Sequence, residues 1–356
     1  MFIYIFLTIS VLLISLLVKD NCIKGTRQYV LNRVAIAAVF VLLFSVSALR
    51  VAVGNDYWPY MFNFELIAQN RFKSVAFESG FNLIVKIIQF LTNDAAYIPI
   101  FAVFSFFTVL FFLKALREQS EWFIFSLFLL MTNGYYFSSL NSIRYYFTFA
   151  LALWSMRFVI EKRYTEFIVT VLLGALIHKS ILVVIPVYLI CNIKWNKVWV
   201  ASVTAFAASL PICKNLYRKI IFVFYPYYEG TYLDDFQISY VNILKAVAIV
   251  VFCLIFYKSS IKDNRKYRFY FNLNYAALLV YTCCSFMPEY TRIGYYFAGS
   301  QMFLVPYVLR NIENKELRRF FEIAIVLCFT AYFAFFLKTC YETNIRLLPY
   351  MSWVFT

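Results

Sequence analysis

Arg50, Arg144 and Arg292 each stand at the edge of a long apolar run, where an ionisable side chain is costly and usually marks a pathway or a site. Arginines gathered on one side of such a protein suit phosphate or pyrophosphate, which they hold through bidentate charge-assisted hydrogen bonds. Asp56, Glu78 and His178, the only histidine in the chain, have the chemistry to take a proton from an acceptor hydroxyl. Asn141 opens the same run as Arg144, and the pair Tyr295-Tyr296 follows Arg292 and Glu289. A lipid-linked phosphate would engage both the cations and the bases. Each residue also has a plainer reading. Arg50 can be a helix-end anchor reaching to headgroups, Asp56 a turn-former after Gly54, Glu78 a helix cap and His178 a satisfied interior residue. The tyrosines fit an interfacial belt. Arg144 and Arg292 resist the plain reading most, because each brings positive charge to the side that membrane proteins usually leave poor in it.

The elements that must position these residues are apolar. Of the 356 residues 63% are hydrophobic and 14% charged, against about 45–50% and about 25% in a soluble domain. Repeated runs near 18 residues without charge leave lipid as the solvent. The expectation is an all-α protein, a polytopic transmembrane helix bundle of about 11–12 spans that forms a single integral membrane domain over 1–356. Apolar runs fall at 2–18, 33–49, 97–113, 122–137, 143–160, 165–191, 198–212, 241–257, 270–287, 292–309 and 320–337. The first lacks a basic leader and a small-residue cleavage signal, and is read as a span.

The formal charge of +15 sits in short segments between these runs. That pattern marks cytoplasmic loops and anionic headgroups, with no nucleic acid as partner. The cluster at 258–268 holds five basic residues against Asp263 alone. If 165–191 were one span, strict alternation would put this cluster outside. A turn at His178-Lys179-Ser180 removes the conflict by making 165–191 a hairpin of two short arms; one long tilted helix is the alternative. As a single helix the run would extend about 40 Å, beyond a hydrocarbon core of about 30 Å. The hairpin gives twelve crossings and places Arg50, Asp56, Glu78, Asn141, Arg144, His178 and Arg292 on the outer face. Two longer outer segments result. In 50–97, the residues Phe81, Ile84, Ile88 and Leu91 mark an in-plane amphipathic helix over 77–91. In 213–240, aromatic residues offer a place for sugar stacking or for anchoring.

Eight cysteines show no C-x-x-C pair, and one histidine makes a zinc site untenable, so no metal is expected. Walker, serine-hydrolase and H-E-x-x-H motifs are absent. At the polar residues the sequence resembles the EpsG-like branch of the Wzy-type polysaccharide (O-antigen) polymerases. The resemblance rests on Arg50 followed by Gly54-Asn55-Asp56-Tyr57 and Tyr60, on Glu78-Ser79-Gly80-Phe81, on Asn141-Ser142-Ile143-Arg144, on His178-Lys179-Ser180 with Pro186, and on Arg292-Ile293-Gly294-Tyr295-Tyr296-Phe297. Tyr145 departs from the pattern, where a glutamine is usual. The resemblance implies a glycosyltransferase that moves a growing glycan from polyprenyl pyrophosphate onto a lipid-linked repeat unit, at the outer face of the bacterial cytoplasmic membrane. It implies Asp56, Glu78 and His178 as candidate bases, and Arg50, Tyr57, Asn141, Arg144, Ser180, Arg292 and Tyr296 as substrate-binding residues. It implies no cofactor. Its partners would be the polyprenyl-pyrophosphate-linked oligosaccharide, the lipid bilayer and a chain-length-regulating membrane protein. A flippase for the same lipid-linked unit is the competing reading, although internal repeats typical of carriers are absent.

Overall fold

The structure is a computed structural model that describes residues 1–75, 77–92, 97–224, 229–230, 238–341 and 345–354. Among these residues the regular structure is helical, with one isolated bridge between Arg50 and Ser352. The described residues fall into two compact units, and the chain passes between them more than once.

The first unit, 1–157, 166–182 and 313–356, begins with α1 (Phe2–Ser15) and α2 (Arg27–Ala48). The hydroxyl of Thr26 caps α2 by accepting from the Tyr29 amide at 3.2 Å. Then come α3 (Tyr57–Ala68), α4 (Ser79–Thr92), α5 (Tyr97–Gln119), α6 (Phe123–Thr132), the single turn α7 (Tyr135–Ser138), most of α8 (Ile143–Ile160) and most of α9 (Tyr164–Ala175). Gly134, at φ +74°, ends the run expected over 122–137 after ten helical residues. A core of Tyr57, Tyr60, Phe64, Phe81, Phe101 and Phe104 joins α3, α4 and α5.

Two features here were not foreseen. The segment after Asp56 is helical (α3), and the buried face of α4 is Phe81, Val85 and Ile88, while Leu91 is exposed. Leu91 falls out of the face because the helix packs its Phe81 side into the aromatic core. It thereby turns Phe90 and Leu91 outward.

The second unit, 158–165 and 183–312, contains α10 (Val184–Cys191), α11 (Lys197–Ser209), α12 (Lys214–Phe224), α13 (Tyr240–Ile255), α14 (Arg265–Cys283), α15 (Tyr290–Ala298) and α16 (Gln301–Arg310). Asn196 and Asn264 cap α11 and α14 with their side-chain oxygens. Helix α12, in a segment read as loop, is a further unforeseen element. The chain then returns to the first unit as α17 (Lys315–Thr339), capped by Asn314.

The run 165–191 does reverse. Helix α9 stops at Ala175, residues 179–183 form a 3₁₀ turn, and α10 carries the chain back. Asn192, just past α10, donates to the Tyr164 hydroxyl at 3.2 Å and to the Val159 carbonyl at 3.5 Å. Arg265 reaches the same Val159 carbonyl and the Asn192 side chain. Arg265 of the basic cluster at 258–268 thus lies against the segment 158–164 within the second unit.

Helices α2, α5 and α17 are long and apolar enough to cross a bilayer. Only 28% of the apolar window of α2 and 22% of that of α17 is buried by protein. Apolar helices that leave most of their apolar surface uncovered need a hydrocarbon solvent.

Candidate functional site

The first unit assembles its polar residues around the start of α8. Glu78 precedes α4 and joins three partners. One carboxylate oxygen pairs with the Arg144 guanidinium. The other faces His178 Nδ1 at 3.1 Å and accepts from the Lys179 amide, also at 3.1 Å. All three side chains are largely buried, with 9% of Glu78, 12% of His178 and 17% of Arg144 exposed. Burial by itself raises the Glu78 carboxyl. The His178 hydrogen bond, the charges of Arg144 and His178 and the Lys179 amide outweigh it and hold the group at about 2, well below the usual carboxylate range. An ionised carboxylate only accepts, so Nδ1 of His178 carries the hydrogen that Glu78 receives. Arg144 lies over the Phe77 ring at 3.9 Å, and its amide lies 3.5 Å from the Tyr60 hydroxyl. The His178 ring stands edge-on to Tyr145. Tyr145 thus occupies a place beside the histidine where an amide side chain would bring hydrogen bonds.

Local sequence explains how these pieces meet. The Phe81 amide donates to the Leu176 carbonyl at 3.1 Å, fixing the start of α4 against the hairpin. Gly80 permits this approach, since a Cβ there would lie 2.5 Å from Leu176 Cβ. Asp56 stands on the other side of the α8 start. Its carboxylate accepts from the Ser142 hydroxyl, and its amide donates to Asn141 Oδ1 at 2.9 Å. Gly54 turns the chain at φ +88° directly against Asn141, where a Cβ would come within 2.6 Å of Oδ1. Two carboxylates at a helix N-terminus also suit the helix dipole.

Arg50 is buried, with 1% exposure. Its guanidinium donates to the carbonyls of Leu140 and Ser47 and lies 4.6 Å over Phe101. Tyr57 is likewise buried, stacked on Phe101 at 5.1 Å. Ser180 is half-buried in the 3₁₀ turn after His178. The first unit thus brings together Asp56, Glu78, Asn141, Arg144 and His178, with Ser180 next to them in the chain and Arg50 and Tyr57 packed underneath.

Arg292 and Tyr296 belong to the second unit. Arg292 pairs with Glu289 at 2.9 Å, and Tyr296 is buried with its carbonyl accepting from the Tyr188 hydroxyl. In the same unit Lys245 lies within α13, and Asn242 of that helix donates to the Tyr295 hydroxyl at 3.5 Å. Lys245 was passed over in the sequence, although one lysine inside the run 241–257 is the signal to look for. Ser142 was passed over too, and its place just before an apolar helix is the corresponding signal. The aromatic stretch Tyr225-Pro226-Tyr227-Tyr228 and the pair Asp234-Asp235 lie outside the described residues. Among the described residues no group of His, Cys, Asp and Glu side chains could hold a metal ion. Cys213 is exposed and Cys340 buried, both as free thiols.

An apolar helical protein with a histidine, two carboxylates and an arginine gathered at one helix start is a helical membrane protein with a built polar site. The EpsG family model matches residues 33–352, and the chain belongs to the EpsG family. No curated protein and no solved structure matched it.

Proposed function

We propose that the protein is a glycan polymerase of the bacterial cytoplasmic membrane, with its site on the outer face and about 11–12 crossings. Membership of the EpsG family supports a polymerase-like glycosyltransferase. The observation that carries the reading is Glu78 bridging Arg144 and His178. In the proposed reaction a hydroxyl of the lipid-linked repeat unit attacks the anomeric carbon of the growing glycan. The bond from that carbon to the pyrophosphate oxygen breaks, and polyprenyl pyrophosphate leaves. His178 takes the hydroxyl proton at Nε2, while Glu78 holds Nδ1–H and stabilises the imidazolium that forms. Glu78, bonded to Arg144, His178 and the Lys179 amide, stays ionised and orients His178 for this step. Arg144 stabilises negative charge developing on the leaving pyrophosphate. Asp56, held by Ser142 and Asn141, shapes the floor beside it. Arg50 and Tyr57 act from beneath as supports of that floor, and Arg292 and Tyr296 are assigned to substrate contacts of the second unit.

The test is deletion of the gene followed by electrophoresis of the surface glycolipid. Collapse of the ladder to a single-repeat band, restored by the wild-type gene but not by Arg144→Ala or His178→Ala, is the expected outcome. Loss of the single-repeat band as well would assign transport of the unit instead. An unchanged ladder would remove the polymerase reading.

A further inference from the structure

The cations at the start of α8 are largely committed within the protein, apart from the exposed Lys179 beside His178. Arg144 is neutralised by Glu78, Asp56 adds a negative charge, and Arg50 is buried. The segment that follows α17 brings a further cation to this place. Residues 345–354 lie along the loop 49–54 that leads to Asp56. The Gly54 amide donates to the Arg346 carbonyl at 2.8 Å, the Val51 amide to the Met351 carbonyl at 2.9 Å, and the Trp353 amide to the Leu49 carbonyl at 3.1 Å. The Tyr350 hydroxyl reaches the Val46 carbonyl, and Leu347 and Leu348 are buried. The strap is therefore fixed in register against the loop.

Within it Arg346 differs from its neighbours. Its side chain is exposed while Leu347 and Leu348 are not. Its φ of +46° lies in the left-handed region, which suits glycine and strains an arginine. No carboxylate pairs with it among the described residues. The backbone at this position asks for glycine, and the position holds a guanidinium. Backbone strain of this kind points to a role for the side chain. The Arg346 carbonyl is bonded to Gly54, which rests on Asn141 and precedes Asp56 by two residues. We propose that Arg346 is a further substrate-binding residue, contacting the pyrophosphate of the lipid-linked glycan at the edge of the Asp56 loop. This rests on the polymerase reading of the same site.

Arg346→Gly provides the test, because glycine satisfies the left-handed backbone while removing the side chain that carries the guanidinium. The detergent-solubilised variant is expected to melt at or above the wild-type temperature. Its polymerisation rate should fall about tenfold at limiting lipid-linked substrate and recover when substrate is in excess. Farnesyl pyrophosphate should raise the melting temperature of the wild type, raise that of Arg346→Lys by less, and raise that of Arg346→Gly least. Wild-type polymerisation by Arg346→Gly at limiting substrate, with an undiminished farnesyl pyrophosphate response, would overturn the assignment. A melting temperature that drops together with activity would also overturn it, by making the residue a packing element. An equal response to inorganic pyrophosphate would assign the residue to a free anion and not to the lipid-linked one. Arg144→Ala is run alongside. If its ladder is also unchanged, the polymerase reading itself fails, whereas its loss beside an intact Arg346→Gly ladder defeats the Arg346 assignment alone.

Discussion

Glu78 divides its carboxylate between Arg144 on one side and His178 with the Lys179 amide on the other. Glu78→Gln keeps the shape and removes the carboxylate charge that faces the largely buried Arg144, so we expect a loss of about 2–3 kcal/mol. That figure is below the cost for a fully buried pair because Arg144 retains some exposure. Thermal melts of the detergent-solubilised proteins would measure it. The pH dependence has a definite sign. The carboxyl falls from an ordinary 4.5 to about 2 on folding. Its stabilisation is thus complete above about 4.5 and disappears as pH falls through about 2. The difference in melting temperature between wild type and Glu78→Gln should close as pH is lowered from 4.5 to 2. A difference that stays constant across that range would show that Glu78 is not held by charge.

At the scale of elements, two glycines set how closely the site's pieces approach. Gly54→Ala places a side chain at φ +88° and against Asn141. The backbone alone accounts for about 1–2 kcal/mol, and displacement of Asn141 should remove polymerisation as well. Gly80→Ala pushes the start of α4 away from Leu176, so it should separate Glu78 from His178 and reduce both melting temperature and ladder length. A wild-type ladder from either variant would show that the loop or the helix start can shift without consequence. The hairpin over 165–191 belongs to this scale too. Its turn was legible because three polar residues interrupt an apolar run and the neighbouring positive charges must share a side. Helices α3 and α12 were not legible, since both lie in aromatic, mixed-charge stretches whose hydropathy does not separate helix from loop.

At the scale of the whole molecule, the proposed topology places Cys213 outside and the 258–268 segment in the cytoplasm. In spheroplasts carrying single-cysteine variants, a membrane-impermeant maleimide should label the exposed Cys213 and should leave Lys262→Cys unlabelled until the membrane is opened. Labelling of Lys262→Cys in intact spheroplasts would invert or break that topology. Composition and period determined by themselves that the chain is helical and needs a lipid solvent, because those properties are written residue by residue along the sequence. Motif order likewise named Asp56, Glu78, Asn141, Arg144 and His178 as candidates before any contact was known. Only the tertiary structure decided who pairs with whom. Glu78 meets Arg144 across 66 residues and His178 across 100, Arg50 turns inward to backbone carbonyls, and Arg346 joins the Asp56 loop from the far end of the chain. Such pairings depend on which apolar faces pack together, and local pattern carries no record of a partner so distant.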